Sequence, residues 1–154
     1  MEEVPGNVKA VLAAVSVVLL GSPPIWATLG KPVASIAGDQ KRLGGEVRIS
    51  SAAGFAVHEI SAPDGTMVRE YASPAGDVFG VSWRGPTRPN LIELLGDHYP
   101  AFQQAARSRG RRRGPLVVRT DRLVVEMGGH MRDFHGRAYL PDRLPASVTP
   151  AAVR

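Results

Sequence analysis

Between Phe55 and Leu140 the chain breaks into short runs bounded by turn residues at roughly 8–12-residue spacing, and strands so close in sequence pair as antiparallel neighbours. Residues 57–61 and 67–73 flank Pro63-Asp64-Gly65, in which Pro sets φ and Gly supplies a positive φ, so a hairpin is predicted. A second turn, Pro74-Ala75-Gly76-Asp77, leads into 78–84, where Phe79, Val81 and Trp83 alternate with Val78, Gly80 and Ser82. Gly85-Pro86 stops that strand. Asn90 can cap a helix and Glu93 can reach back to it. Leu91, Leu94 or Leu95, His98 or Tyr99, and Phe102 then recur at helical spacing, with Pro100 kinking the helix or opening a second one. Residues 116–120 and 123–127 form a further hairpin around Asp121, and Gly128-Gly129 turns the chain into 132–140. The expected fold is α+β: an antiparallel sheet in two three-strand meanders, with a kinked helix between them packed on one face. That domain is placed at 54–145, after a mobile leader at 28–53 with at most a short strand at 46–50, and before a C-terminal tail at 146–154 carrying Pro150.

The N-terminus has a different character. Residues 10–21 (AVLAAVSVVLLG) carry no charge, follow Lys9 and precede Ser22-Pro23-Pro24. A membrane-crossing helix needs about 20 apolar residues, whereas about 7–15 suits the central part of a secretory signal. Residues 1–27 therefore read as a signal peptide cut after Ala27, with Ala34 as the second choice and a buried core helix as the competing structure. Glu2 and Glu3 outnumber Lys9 where a basic excess is usual, which a start codon placed too far upstream would explain. The expected location is periplasmic or secreted, with no stable membrane span after processing.

Removing 1–27 leaves 127 residues with 18 Lys+Arg against 12 Asp+Glu, a net charge of +6. With no Cys in the chain, disulfides, thiol nucleophiles and thiolate metal sites are excluded. The folded part must rest on its apolar core, and Phe79, Val81, Trp83, Leu94 and Val125 are the residues on which stability is expected to depend. Trp83, Tyr71, Phe79 and Tyr139 could line a groove, but aromatics at alternate strand positions are more often core.

Among groups able to carry chemistry, His58, His98, His130 and His135 are the histidines of the chain. A metal-dependent enzyme or hydrolase would have to gather His58, His130, Asp133 and His135, yet His130 and His135 are five apart, which suits neither one helix face nor one strand face. Glu70 and Glu126 fall on presumed solvent faces. There is no G-x-S-x-G elbow or S-x-x-K, and Ser82 lies inside a strand rather than on a sharp turn. Gly44-Gly45 and Gly128-Gly129 are plain pairs without phosphate-loop spacing. No catalytic residue, resident metal or cofactor is assigned. Arg107, Arg109, Arg111, Arg112 and Arg113 form the densest positive run; such runs attract polyanions, although a solvated loop is the preferred account of it. No aromatic residue lies between Phe102 and Phe134, so base stacking has no platform and nucleic acid is not an expected partner.

Two blocks carry a resemblance. The first is His58-Glu-Ile-Ser-Ala-Pro-Asp-Gly-Thr-Met-Val-Arg-Glu-Tyr71, continuing through Val78-Phe-Gly-Val-Ser-Trp-Arg-Gly-Pro86 and Asn90-Leu-Ile-Glu-Leu-Leu-Gly96. The second is Gly114-Pro-Leu-Val-Val-Arg-Thr-Asp-Arg-Leu-Val-Val-Glu126 with Gly128-Gly-His-Met-Arg132, Gly136-Arg-Ala-Tyr139 and Leu140-Pro141. Over about residues 29–145 the chain resembles a Gram-negative bacterial family of exported proteins, domain of unknown function 2844. The resemblance implies export and transfers no catalytic residue; the arginine run falls between the matching blocks.

The sequence thus points to a small exported binding or envelope-associated module rather than an enzyme. Its candidate ligand surface is Trp83 and Arg84 at a strand end, with His130 and Arg132 beside Gly128-Gly129, because glycine admits a ligand close to the backbone and His and Arg offer donors there. The expected partner is an envelope polyanion or another exported protein.

Overall fold

The structure is a computed structural model, and it describes residues 29–110 and 114–154. The expected signal peptide, and Arg111, Arg112 and Arg113 of the basic run, lie outside the described residues. Among the described residues the elements are α1 (Ile36–Leu43), β1 (Glu46–Ala52), β2 (Phe55–Ser61), β3 (Met67–Ala72), β4 (Val78–Gly85), α2 (Leu91–Leu95), α3 (Tyr99–Ser108), β5 (Leu116–Arg119), β6 (Val124–His130) and β7 (Asp133–Tyr139). The strands form one antiparallel sheet in the order β1-β2-β3-β4-β7-β6-β5. The α+β class stands, with two corrections of detail: four strands rather than three precede α2, and α2 and α3 stand in place of the single kinked helix, Pro100 opening the second.

Each element follows from local chemistry. At the β2–β3 turn Gly65 takes φ 85°, and the Asp64 carboxylate accepts the Thr66 amide at 2.8 Å and the Thr66 and Thr87 hydroxyls at 2.9 and 2.8 Å. Asn90 caps α2 by accepting the Ile92 amide at 3.1 Å, and its side-chain amide donates to Glu93 at 2.9 Å. Gly96 ends α2 at φ 47°, ψ −120°, a 3₁₀ turn follows at Gly96–His98, and Pro100 sits in the first turn of α3, where its missing N–H costs nothing.

Cross-strand register assigns the faces. Ile60, Val68, Trp83, Val81, Ala138, Val125 and Val118 point to one side, where Ile36 of α1, Leu94 and Leu95 of α2 and Phe102 of α3 cover them. Tyr71, Phe79, Val124 and Tyr139 point to the other side and bury Val148 and Val153 of the closing segment. β4 runs through the middle and is buried on both sides, Arg84 excepted. The five residues expected to carry stability are all core.

Both segments expected to flank the domain are built into it. Leu29 is 1% exposed, Gly30 and Lys31 exchange backbone hydrogen bonds with Val78 at 2.8 and 2.9 Å, and the presumed leader then supplies α1 and β1. Residues 146–154 close over the sheet, and Gly80 is what lets them approach: a Cβ there would lie 2.8 Å from Val153 Cγ2. Glu70, expected on a solvent face, is fully buried on the helix side.

The β4–β7 pair sets Gly136 opposite Trp83, and the indole lies across it, so a Cβ at 136 would stand 2.3 Å from Cζ2. Gly136→Ala is therefore expected to lower the unfolding free energy by about 1–3 kcal/mol through overpacking. Gly38→Ala inside α1, where a Cβ meets nothing within 4 Å, should raise it by about 0.5–1 kcal/mol. Urea midpoints check both; an unchanged midpoint for Gly136→Ala would refute this account of Trp83.

Candidate functional site

The side of the sheet away from the helices is only partly covered. Beside the closing segment it leaves a hollow of about 470 Å³ over β3, β4, β7, β6 and β5. Two cross-strand rows make its floor. One runs Arg69, Ser82, Arg137, Glu126, Val117; the other, two residues along, runs Met67, Arg84, His135, Gly128, with Pro115 at its end. Arg154 stands at one edge. A second hollow of about 300 Å³ continues it toward Gly65, Arg132 and Asp133, and Met67 and Arg84 line both.

Ion pairs hold most of these guanidinium groups. Arg69 Nε donates to Glu59 at 2.7 Å, Arg84 grips Asp133 with Nε and Nη2 at 3.0 and 3.3 Å, and Glu126 receives Arg119 at 2.9 Å and Arg137 at 2.7 and 2.9 Å. Arg137 Nη1 also donates to the Pro150 and Val153 carbonyls, both at 3.1 Å, and so fastens the closing segment. Tyr71 adds to that clasp by donating to the Arg154 carbonyl and accepting the Arg154 amide at 2.9 Å. With the phenolic proton so placed, the 3.2 Å contact with Ser82 Oγ has Ser82 as donor. Its partner is a phenol whose oxygen already serves the Arg154 backbone, not a general base, so the hydroxyl is positioned without being activated. Among the described residues, five guanidinium groups here (Arg69, Arg84, Arg119, Arg137, Arg154) stand against three side-chain carboxylates (Glu59, Glu126, Asp133). Such a surface suits an anion.

The residues singled out in the sequence separate. Arg84 lies on the floor of the hollow, its side chain 73% exposed, but Trp83 points through the sheet into the core at 3% exposure. His130 and Arg132 are exposed at the β6–β7 hairpin, and Arg132 is on the wall of the second hollow. The turn itself is at Met131-Arg132. Gly128 and Gly129 belong to β6, and a Cβ on Gly129 would meet the Asp133 carbonyl at 2.1 Å. Arg132 takes φ 65°, a left-handed conformation uncommon outside glycine. Of the basic run, Arg107 lies in the last turn of α3 and Arg109 donates to the Val117 carbonyl.

The His/Asp set does not assemble. His58 is on the helix side of β2, where burial pushes its imidazole pKa down, while His135 is on the open side of β7, three strand spacings or about 14 Å away. Asp133 is engaged by Arg84, and among the described residues no group of three or more His, Asp or Glu is placed to hold a metal ion.

A family model described as a protein of unknown function, DUF2844, matches residues 26–153. The chain belongs to that family. No curated protein and no solved structure matches it. The DUF2844 match takes in α1, β1 and the closing segment along with the remaining strands, the same extent that the sheet and its coverings occupy.

Register, not motif, makes the site. Arg69, Arg137 and Arg154 were not singled out in the sequence, and Ser82 and Glu126 were weighed there only as catalytic groups and set aside; the signal that could have joined them is the pairing of polar residues at alternate strand positions, Ser82 with Arg84 and His135 with Arg137.

Hydrogen bonds from Arg119 and then Arg137 hold the Glu126 carboxyl below its usual pKa. A depressed acid stabilises the fold fully above its unfolded value of 4.5 and loses that contribution as pH falls through the lower folded value. Glu126→Gln should be less stable than the parent at neutral pH, with the difference shrinking below about pH 4.5; a gap that stays constant into acid would contradict the pairing. Arg132→Gly should gain up to about 1 kcal/mol from relief of the positive φ, partly offset by the greater chain entropy of glycine, as read from thermal unfolding.

Proposed function

We propose that the mature chain is an exported, non-enzymatic binding module that holds an anionic ligand in the hollow on the open side of its sheet. The observation that carries this reading is the surplus of guanidinium groups over carboxylates around an accessible hollow of about 470 Å³. The volume lies in the range of small-ligand pockets, and the arginine forks match carboxylate and phosphate oxygens. Ser82 has no base beside it, and the His/Asp set is split between the two faces, so binding accounts for the arrangement better than turnover does. Export is supported by the uncharged run at 10–21 and the small residue Ala27, and no helix among the described residues is long and apolar enough to cross a membrane.

Two measurements test this. N-terminal sequencing of the protein from a fractionated host should begin at Thr28 in the periplasmic or secreted fraction; cytoplasmic protein retaining its first 27 residues would overturn the localisation. Saturating citrate or phosphate should raise Tm by about 3 °C or more at constant ionic strength. Arg84→Gln should remove most of that rise, and a Tm indifferent to both anions would overturn the anion site.

A further inference from the structure

The cations of the open face are strung out along the strands. Arg69 and Arg137 belong to one cross-strand row, Arg84 to the next, and Arg132 stands beyond them at the hairpin. Same-face residues of a strand are about 6.6–6.8 Å apart. Positive charge therefore recurs at that interval between the two rows, and Arg132 continues it to the β6–β7 hairpin. Because Met67 and Arg84 line both hollows, the two are continuous as one trough, and the second extends the first along β4 and β7 toward the β6–β7 hairpin.

We propose that this trough takes an extended acidic segment of another protein, laid along β4 and β7 with a carboxylate at every second residue. This rests on the open face being an anion site and names its occupant. An extended peptide presents alternate side chains at the same interval as the sheet beneath it, so its carboxylates meet successive cation rows without distortion. The face is already suited to carboxylates: Arg69, Arg84 and Arg137 each hold one from this chain, and Arg84 does so through a two-nitrogen fork. Met67 and Val117 offer apolar walls to the hydrocarbon stems of the incoming residues. Arg84, with its side chain 73% exposed, and Arg132 at the outer end are the cations that meet the segment without disturbing the clasp on residues 150–154.

Isothermal titration of the processed protein with three probes tests this. The probes are an end-blocked octapeptide alternating Glu and Thr, the same composition with its Glu residues contiguous, and short-chain polyphosphate. The alternating peptide should bind about tenfold tighter than the contiguous one, since it satisfies about two further ion pairs. Arg84→Gln and Arg132→Gly should each weaken it by up to about fivefold, the range of an exposed ion pair, and their combined loss should shrink as salt shortens the Debye length to about 8 Å. Arg132→Gly relieves a positive φ, so a loss of affinity in a variant whose Tm has not fallen assigns the effect to charge. Equal binding of the two peptides, or tighter binding of polyphosphate, overturns the peptide while leaving an anion site. No binding of any probe overturns both.

Discussion

The pairing of β4 with β7 holds the rest together. These strands are not neighbours in sequence: the chain leaves β4, makes α2 and α3, enters the far edge at β5 and works back through β6 to meet β4 again. Without that ladder a four-strand and a three-strand sheet would each present a long unpaired edge in the middle of the molecule, and an open edge of that kind invites association. Both sides of the protein are anchored on it. On the helix side it sets Trp83 over Gly136, and on the open side it sets Ser82 beside Arg137 and Arg84 beside His135. One register thus decides both the core and the candidate site.

Arg137 joins that register to the closing segment. Its Nε and Nη2 go to Glu126 on β6, and its Nη1 goes to two backbone carbonyls of residues 150–153. A guanidinium group can do this because its donors diverge in a fixed plane, which a lysine ammonium would not reproduce. The effect is to satisfy carbonyls of a segment that has no strand partner and to hold Val148 and Val153 against Tyr71, Phe79 and Tyr139. In a chain without cysteine such a clasp does part of what a disulfide does elsewhere, and it leaves the neighbouring half of the same face open.

The sequence was legible where local chemistry decides. Pro63-Asp64-Gly65, the Asn90 cap and the alternation of Val81 with Trp83 are local signals, and the structure follows them; Phe79, which the same alternation puts beside them, faces the opposite side because the β3–β4 register shifts at Tyr71/Ala72. β1 was legible only as a short strand at 46–50: Glu46-Val47-Arg48-Ile49-Ser50 alternates, but β1 is an edge strand on which every residue except Val47 is exposed, so nothing in the sequence tied it to the domain or marked its extension to Ala52. The closing segment escaped because its anchoring comes from Arg137, 13 and 16 positions away, and Tyr71, 83 positions away, and its two buried valines are too few to form a period. Glu70 was misplaced because the side of a strand that faces the helices cannot be told from charge alone. Arg84 was legible as a site candidate by its place at a strand end, whereas Arg69 and Arg137 needed the register of three strands to become its neighbours.

Arg132 carries the argument one step further. The hairpin between His130 and Asp133 needs a residue with positive φ, and this chain places glycine at Gly65, Gly76 and Gly129, where φ is also positive, yet places arginine here at φ 65°. For a residue with a Cβ that conformation costs about 1 kcal/mol relative to ordinary backbone. Its side chain stands over the outer hollow, beside the Arg84–Asp133 pair, where one of the three carboxylates is already neutralised. The core gains nothing from an exposed arginine at a turn, so the energetic return must come from its charge. On the proposed reading, that return is the outermost of the cations that an extended acidic segment would meet.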